Sequence, residues 1–211
     1  MSVRHQAPPP GSPDAAHAPP LSAAPSSALA ICATCGTQFG PPPGPPASCP
    51  ICQDERQYVG PDGQRWTTLA ELRDGRHNAF TPLEPGLTAI RTEPTFAIGQ
   101  RAFLIEAEGG NILWDCVSLV DDASVAAVLA RGPVRAIAIS HPHFYSSMVE
   151  WARALGGVPV WVHEADRRWV MRPDPLIRTW SGAAHELGGG LTLVHVGGHF
   201  AGAQALVWAA G

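Results

Sequence analysis

The run Val134–Ile139, followed by Ser140-His141-Pro142-His143, constrains this chain more than any other stretch. It is short, small and β-branched, which predicts a buried parallel strand rather than a helix, and Ser140 with Pro142 ends it. Upstream, Ala102–Ile105 and Asn111–Trp114 flank Glu108-Gly109-Gly110 and predict a β-hairpin. Between them and Val134, Asp121–Ala130 supplies N-terminal acids and then good helix formers, with Arg131-Gly132 as a stop. Strand, helix and strand form a βαβ unit that delivers His141 and His143 to a loop at a strand's C-terminal end. Two histidines one residue apart point the same way on an extended backbone, so both imidazoles can reach one cation.

A third histidine has a similar setting. Leu191–Val196 reads as a strand and runs into Gly197-Gly198-His199-Phe200-Ala201-Gly202, where the glycines allow a tight bend around His199.

Cysteines supply a second constellation, Cys32-x-x-Cys35-Gly36 and Cys49-x-x-Cys52. Each C-x-x-C bends the backbone so that two thiolates face one point, and two such knuckles make a closed tetrahedral sulfur site. Residues 36–48 between them are mostly Pro and Gly, too poor in core residues to fold alone, so the ion supplies the folding energy. Structural zinc is expected; iron also fits four thiolates, and the stripped module can form disulfides. Cys116, beside Trp114-Asp115, reads as a core thiol.

The other segments set boundaries. Many of the 22 prolines fall before residue 30, in a Pro/Ala/Ser-rich segment that cannot bury enough surface to fold, so residues 1–30 are expected to be a disordered tail. A zinc-ribbon-like module at 31–58, a connector at 59–93 and a main domain at 94–211 follow. In the connector, Gln57–Val59 predicts a short strand, and Thr68-Leu-Ala-Glu71 carries a capping box that starts a short helix. Met148, Trp151, Ala152 and Leu155 recur at helical spacing, and Val158–Val162 is a strand. His163-Glu-Ala-Asp166 has the spacing of a helix start, and His185-Glu186 reads as surface.

A net charge of −4 without basic clusters gives no electrostatic footprint for nucleic acid or an anionic membrane. No run approaches a membrane span of about 20 apolar residues, and Met1–Gln6 lacks the apolar core of a signal peptide, so a cytoplasmic location is expected.

The strand ending in Ser140-His-Pro-His-Phe-Tyr-Ser146 and the later strand ending in Gly197-Gly-His-Phe-Ala-Gly202 together resemble the metallo-β-lactamase-fold hydrolases, in a branch with an N-terminal zinc ribbon. That resemblance implies an α/β fold, the αβ/βα sandwich, with His141, His143 and His199 as a three-histidine metal site and Asp115 beneath it. It departs from the family pattern where an Asp-His pair is replaced by Tyr145-Ser146, which keeps one metal and breaks the second. The family's further half, with a bridging aspartate and a last histidine, has no counterpart before Gly211, so the sandwich is expected to be incomplete at the C-terminus. By this resemblance the chain is a zinc hydrolase with one ligand position open for water, acting on a small-molecule thioester or ester, with the Tyr145 hydroxyl as candidate oxyanion donor. The alternative is a non-catalytic zinc scaffold whose ribbon holds a protein partner. Iron at the histidines is a third expectation.

Overall fold

The structure, a computed structural model, describes residues 26–42, 44–53, 59–61 and 63–209. The expected tail therefore lies outside the described residues as far as residue 25, but its last part is built into the fold. Ser26–Ala28 form a 3₁₀ turn, the Ser26 hydroxyl donates to Glu150 at 3.2 Å, and Leu29 and Ala30 are buried. The strand expected at Gln57–Val59 falls mostly on residues outside the described set.

Strand β1 (Ala30–Cys32) pairs antiparallel with β2 (Trp66–Thr68), so the segment carrying Cys32 closes on residues assigned from sequence to the connector. Helix α1 (Leu69–Leu72) starts at Thr68 with the expected capping box, in which the Thr68 side chain accepts from Glu71 N and the Glu71 carboxylate accepts from Thr68 N. Next comes an antiparallel hairpin of β3 (His77–Glu84) and β4 (Leu87–Glu93). This hairpin corrects the connector reading, because it belongs to the main sheet. Its signal was masked by Pro82 and by a strand exposed over half its length; β3 lies at the sheet edge, where a residue without an N–H is tolerated.

β5 (Arg101–Ile105) and β6 (Asn111–Trp114) form the predicted hairpin. Helix α2 (Asp122–Leu129), N-capped by Asp121, crosses to β7 (Val134–Ala138), which runs parallel to β6. After the histidine loop come α3 (Met148–Ala154), β8 (Val160–His163) and β9 (Ile177–Trp180). The seven strands lie in the order β3-β4-β5-β6-β7-β8-β9, antiparallel up to β6 and parallel from β6 onward. A second, antiparallel sheet holds β10 (Ala184–Gly188), β11 (Leu191–His195) and β12 (Gln204–Trp208).

Alternation in the central strands explains the layering. Leu113 and Ile137 face a core shared with Leu69 and Leu72 of α1, Val128 of α2 and Trp151 of α3. Their neighbours Ile112, Ala136 and Ala138 face the other way and meet Leu191 and Leu193 of the second sheet. The layers are thus helices, seven strands, three strands. The pair His185-Glu186, read as surface, is in part a sandwich residue: the His185 ring lies 4.5 Å from Trp161 and 5.7 Å from Trp180. Among the described residues no helix is long and apolar enough to cross a membrane.

Candidate metal centres

β7 ends at the carboxyl side of the parallel strands, and the chain beyond it turns at once. His141 is extended, Pro142–Phe144 form a 3₁₀ turn, and the next residue to leave ordinary backbone geometry is Ser146, at φ 40°. The β11–β12 loop arrives beside it because Gln204 donates its backbone N–H to Ser140 O at 2.9 Å and its side-chain amide to Ile139 O at 2.7 Å. His141, His143 and His199 converge as a result, with candidate ligand atoms all within 4.8 Å of one another. His199 Nε2 and His143 Nδ1 are 3.4 Å apart. A tetrahedral ion with bonds of about 2.05 Å to nitrogen needs nitrogens about 3.3 Å apart, which the His143–His199 pair matches.

Orientation comes from behind the ring. Asp115, buried at φ 63° after β6, accepts from Ser140 N at 2.7 Å and from Ser140 Oγ at 3.0 Å, and Ser140 Oγ in turn lies 3.0 Å from His141 Nδ1. A serine proton spent on the carboxylate leaves its oxygen to accept, which places the imidazole proton on Nδ1 and frees Nε2 for a ligand bond. Burial pushes the Asp115 carboxyl up to about 7 against the pull of these hydrogen bonds. His141 is pushed down to about 4, by burial first and then by His143 and His199, so its ring is neutral as a ligand must be.

Tyr145 takes a different place from the one expected of an oxyanion donor. Its side chain is 2% exposed in the core, its hydroxyl sits 3.4 Å from the Asp166 carbonyl, and burial pushes its pKa well above the ordinary value. Successive residues of a 3₁₀ turn point about 120° apart, so Tyr145, the C-cap of the turn, does not share the direction of His143, and its ring is buried in the core. Ser146 is buried too, with its carbonyl accepting from Gln38 N at 3.0 Å. His163 and Asp166 stay out of the histidine cluster: His163 caps a 3₁₀ turn through Ala165 N, and Asp166 Oδ1 accepts from Gly202 N at 2.8 Å, holding the His199 loop.

The second cluster is Cys32, Cys35, Cys49 and Cys52, all buried and none disulfide-bonded. Cys32 Sγ lies 3.5 Å from Cys52 Sγ, and Cys35 Sγ 3.6 Å from Cys49 Sγ. Edges of about 3.8 Å are expected for four sulfurs at 2.3 Å from one ion. Thr34 N and Cys35 N each donate to Cys32 Sγ at 3.4 Å and the Gln64 amide does so at 3.0 Å, the environment a thiolate ligand attracts. Hydrogen bonds from Cys35, Cys49 and Cys52 push the Cys32 thiol far below its usual range. Cys116 lies apart, fully buried, with its pKa raised by that burial, as a core thiol should be.

The sequence did not single out Ser140 or Gln100 as functional. Nothing local marks them; Gln100 acts on residues 43 and 65 positions away.

With the geometry in place, comparisons with known proteins fit it. Residues 97–210 match the family described as the metallo-β-lactamase superfamily. The uncharacterized protein YmaE of Bacillus subtilis (strain 168) is 47% identical over 183 residues, which cover 86% of this chain and 66% of the relative; the chain thus spans slightly less than two-thirds of that relative's length. The DIM-1 metallo-β-lactamase superposes with a TM-score of 0.52 at 10% identity, over 63% of this chain and 65% of that one. A metallo-β-lactamase from Pontibacter korlensis gives 0.50 at 16% identity, over 63% and 67%. Such low identities show the fold alone. Matched by the family profile over more than half its length, and with three histidines gathered at the ends of its strands, the chain belongs to the metallo-β-lactamase superfamily.

Proposed function

We propose that this chain is a hydrolase built around a single ion at His141, His143 and His199, acting on thioesters or activated esters. The observation that carries the reading is the convergence of three imidazoles without a carboxylate in the cluster, while Tyr145 and Ser146, at the positions of the missing second-site ligands, are buried in the turn. A zinc ion held there would supply Lewis acidity, polarising a carbonyl and bringing the pKa of water to about 7. The protein's own part is to keep the donors neutral and aimed. Burial and mutual repulsion hold His141 unprotonated, and the Asp115–Ser140 pair fixes its tautomer. Among the described residues no acidic side chain joins the cluster to protonate a leaving group, which favours thiolates and activated alkoxides over amide nitrogens.

The test is hydrolysis of p-nitrophenyl acetate and of a short acyl thioester by the full chain, with metal analysis to distinguish zinc from iron. Chelation, His141→Ala and His199→Ala are each expected to cut the rate at least 100-fold. Tyr145→Phe should leave it within about twofold, since the phenol faces the core. Equal turnover by the metal-free protein would overturn the mechanism, and no turnover of either substrate by the metal-loaded protein would favour the non-catalytic scaffold.

A further inference from the structure

The spacing of the two clusters in sequence suggests independent sites, but the structure joins them. The Gln100 side-chain amide donates both to the carbonyl of Cys35 and, at 3.0 Å, to the carbonyl of His143, so one residue holds the backbone of a ligand from each cluster. Phe200, 2% exposed, packs in the same apolar cluster as the four cysteines. Its ring centroid also lies 4.6 Å from His199, 5.0 Å from His143 and 5.8 Å from His141. Further ties run alongside. Gln38 N donates to Ser146 O at 3.0 Å, Gly40 N donates to Met171 O at 3.0 Å, and the buried Arg172 guanidinium bridges Gln38 and Glu150. At Gly36, at φ 78°, an added Cβ would come within 2.4 Å of Ser118 Oγ and 2.9 Å of Gln100 Nε2, so the knuckle meets the main domain with no room for a side chain.

The knuckle that makes these contacts has little core of its own. Its buried apolar residues are chiefly Phe39, Ile51 and the cysteines themselves, so its shape depends on the sulfurs being drawn to one point. We propose that the four-cysteine module is a positioning element of the histidine centre: with its sulfurs on one ion it holds, through Gln100 and Phe200, the two loops that carry His143 and His199. The histidine site then binds its own ion tightly only when the sulfur site is filled. This rests on the metal reading of both clusters, and the experiment separates the two.

Metal-free protein is given one equivalent of zinc, and loading of the sulfur site is checked by protection of its thiols from a thiol reagent. Backbone hydrogen exchange is then followed at residues 141–146 and 197–203. Loading should slow exchange in both loops at least tenfold. In zinc-loaded Gln100→Ala the thiols should stay protected while the slowing at 141–146 is lost; in Phe200→Leu it should be lost at 197–203. Cobalt added next, read by its ligand-field absorption at the histidines, should bind both variants at least tenfold more weakly than the parent. Unprotected thiols, or loop exchange that changes less than twofold on loading, would overturn the proposal. So would variants that match the parent in exchange. If Phe200→Leu does not fold, the parent and Gln100→Ala decide. Slowed loops in a parent that binds no cobalt would sink the metal reading of the histidine site and leave the coupling standing.

Discussion

Asp115 sits where an acidic side chain would be costly unless fully used: it is buried, in the left-handed region, and both carboxylate oxygens accept from Ser140. Its effect reaches His141 through the serine hydroxyl, and the direction of that hydrogen bond is what matters. Asp115→Asn tests it cleanly, because asparagine tolerates the same backbone region and has nearly the same shape. The amide can still accept from Ser140 N through its oxygen, but its NH₂ then faces Ser140 Oγ and turns the serine into a donor toward Nδ1. That puts the imidazole proton on Nε2, where the ligand bond is needed. Metal affinity of the histidine site is therefore expected to fall about 10–100-fold with the fold intact, as measured by competition with a chelator alongside circular dichroism. Unchanged affinity would mean that the serine does not set the tautomer.

At the scale of elements, β12 is fastened to the parallel sheet by one residue. Gln204 is 4% exposed, its amide donates to Ile139 O at 2.7 Å, and its oxygen accepts from Trp180 Nε1 at 2.6 Å. It thereby joins β12 to the chain just past β7 and to the end of β9, and it brings the His199 loop over the His141 loop. Gln204→Leu keeps the volume but strands one buried acceptor and one buried donor, each worth about 1–3 kcal/mol. A loss of roughly 2–6 kcal/mol in urea unfolding is expected, as a lower midpoint with unchanged slope. A loss below about 0.5 kcal/mol would show that water or a shifted backbone satisfies both groups. The loop that follows β11 has its own tether in Gly202, where a Cβ would meet Asp166 Cγ at 2.8 Å, so that tether leaves no space for a side chain.

For the whole molecule, the four-cysteine module is the part whose stability is borrowed. Its own core is small, and it is completed from the main domain by Phe200, Trp169 and Met171 and by backbone bonds from Gln38 and Gly40. Beyond residue 25, metal-free protein treated with proteinase K should accordingly be cut first within residues 36–48, and one equivalent of zinc should slow that cut at least tenfold. Cutting at the same rate with and without zinc would show that the loop needs no ion. The seven-stranded sheet should survive chelation, since its two buried faces hold Leu113 and Ile137 on one side and Ile112 and Ala136 on the other without help from either ion.

The sequence alone determined what depends on neighbouring positions. Alternation and β-branching located β5, β6 and β7; the Asp121 cap and the following helix formers located α2; and the spacing of the histidines and cysteines located two ligand sets that the fold does bring together. It missed β3 and β4 because an edge hairpin with Pro82 and one exposed face carries little periodicity. Only tertiary structure decided the rest. Chain position does not say which way a side chain leaves a tight turn, so Tyr145 went to the core rather than the histidines. Nor does it say which distant backbones share a donor, and the link from Cys35 to His143 through Gln100 exists only because β5, the knuckle and the β7 loop are packed at one end of the sheet. Local physics chose the ligands; long-range packing aimed them and tied the two clusters together.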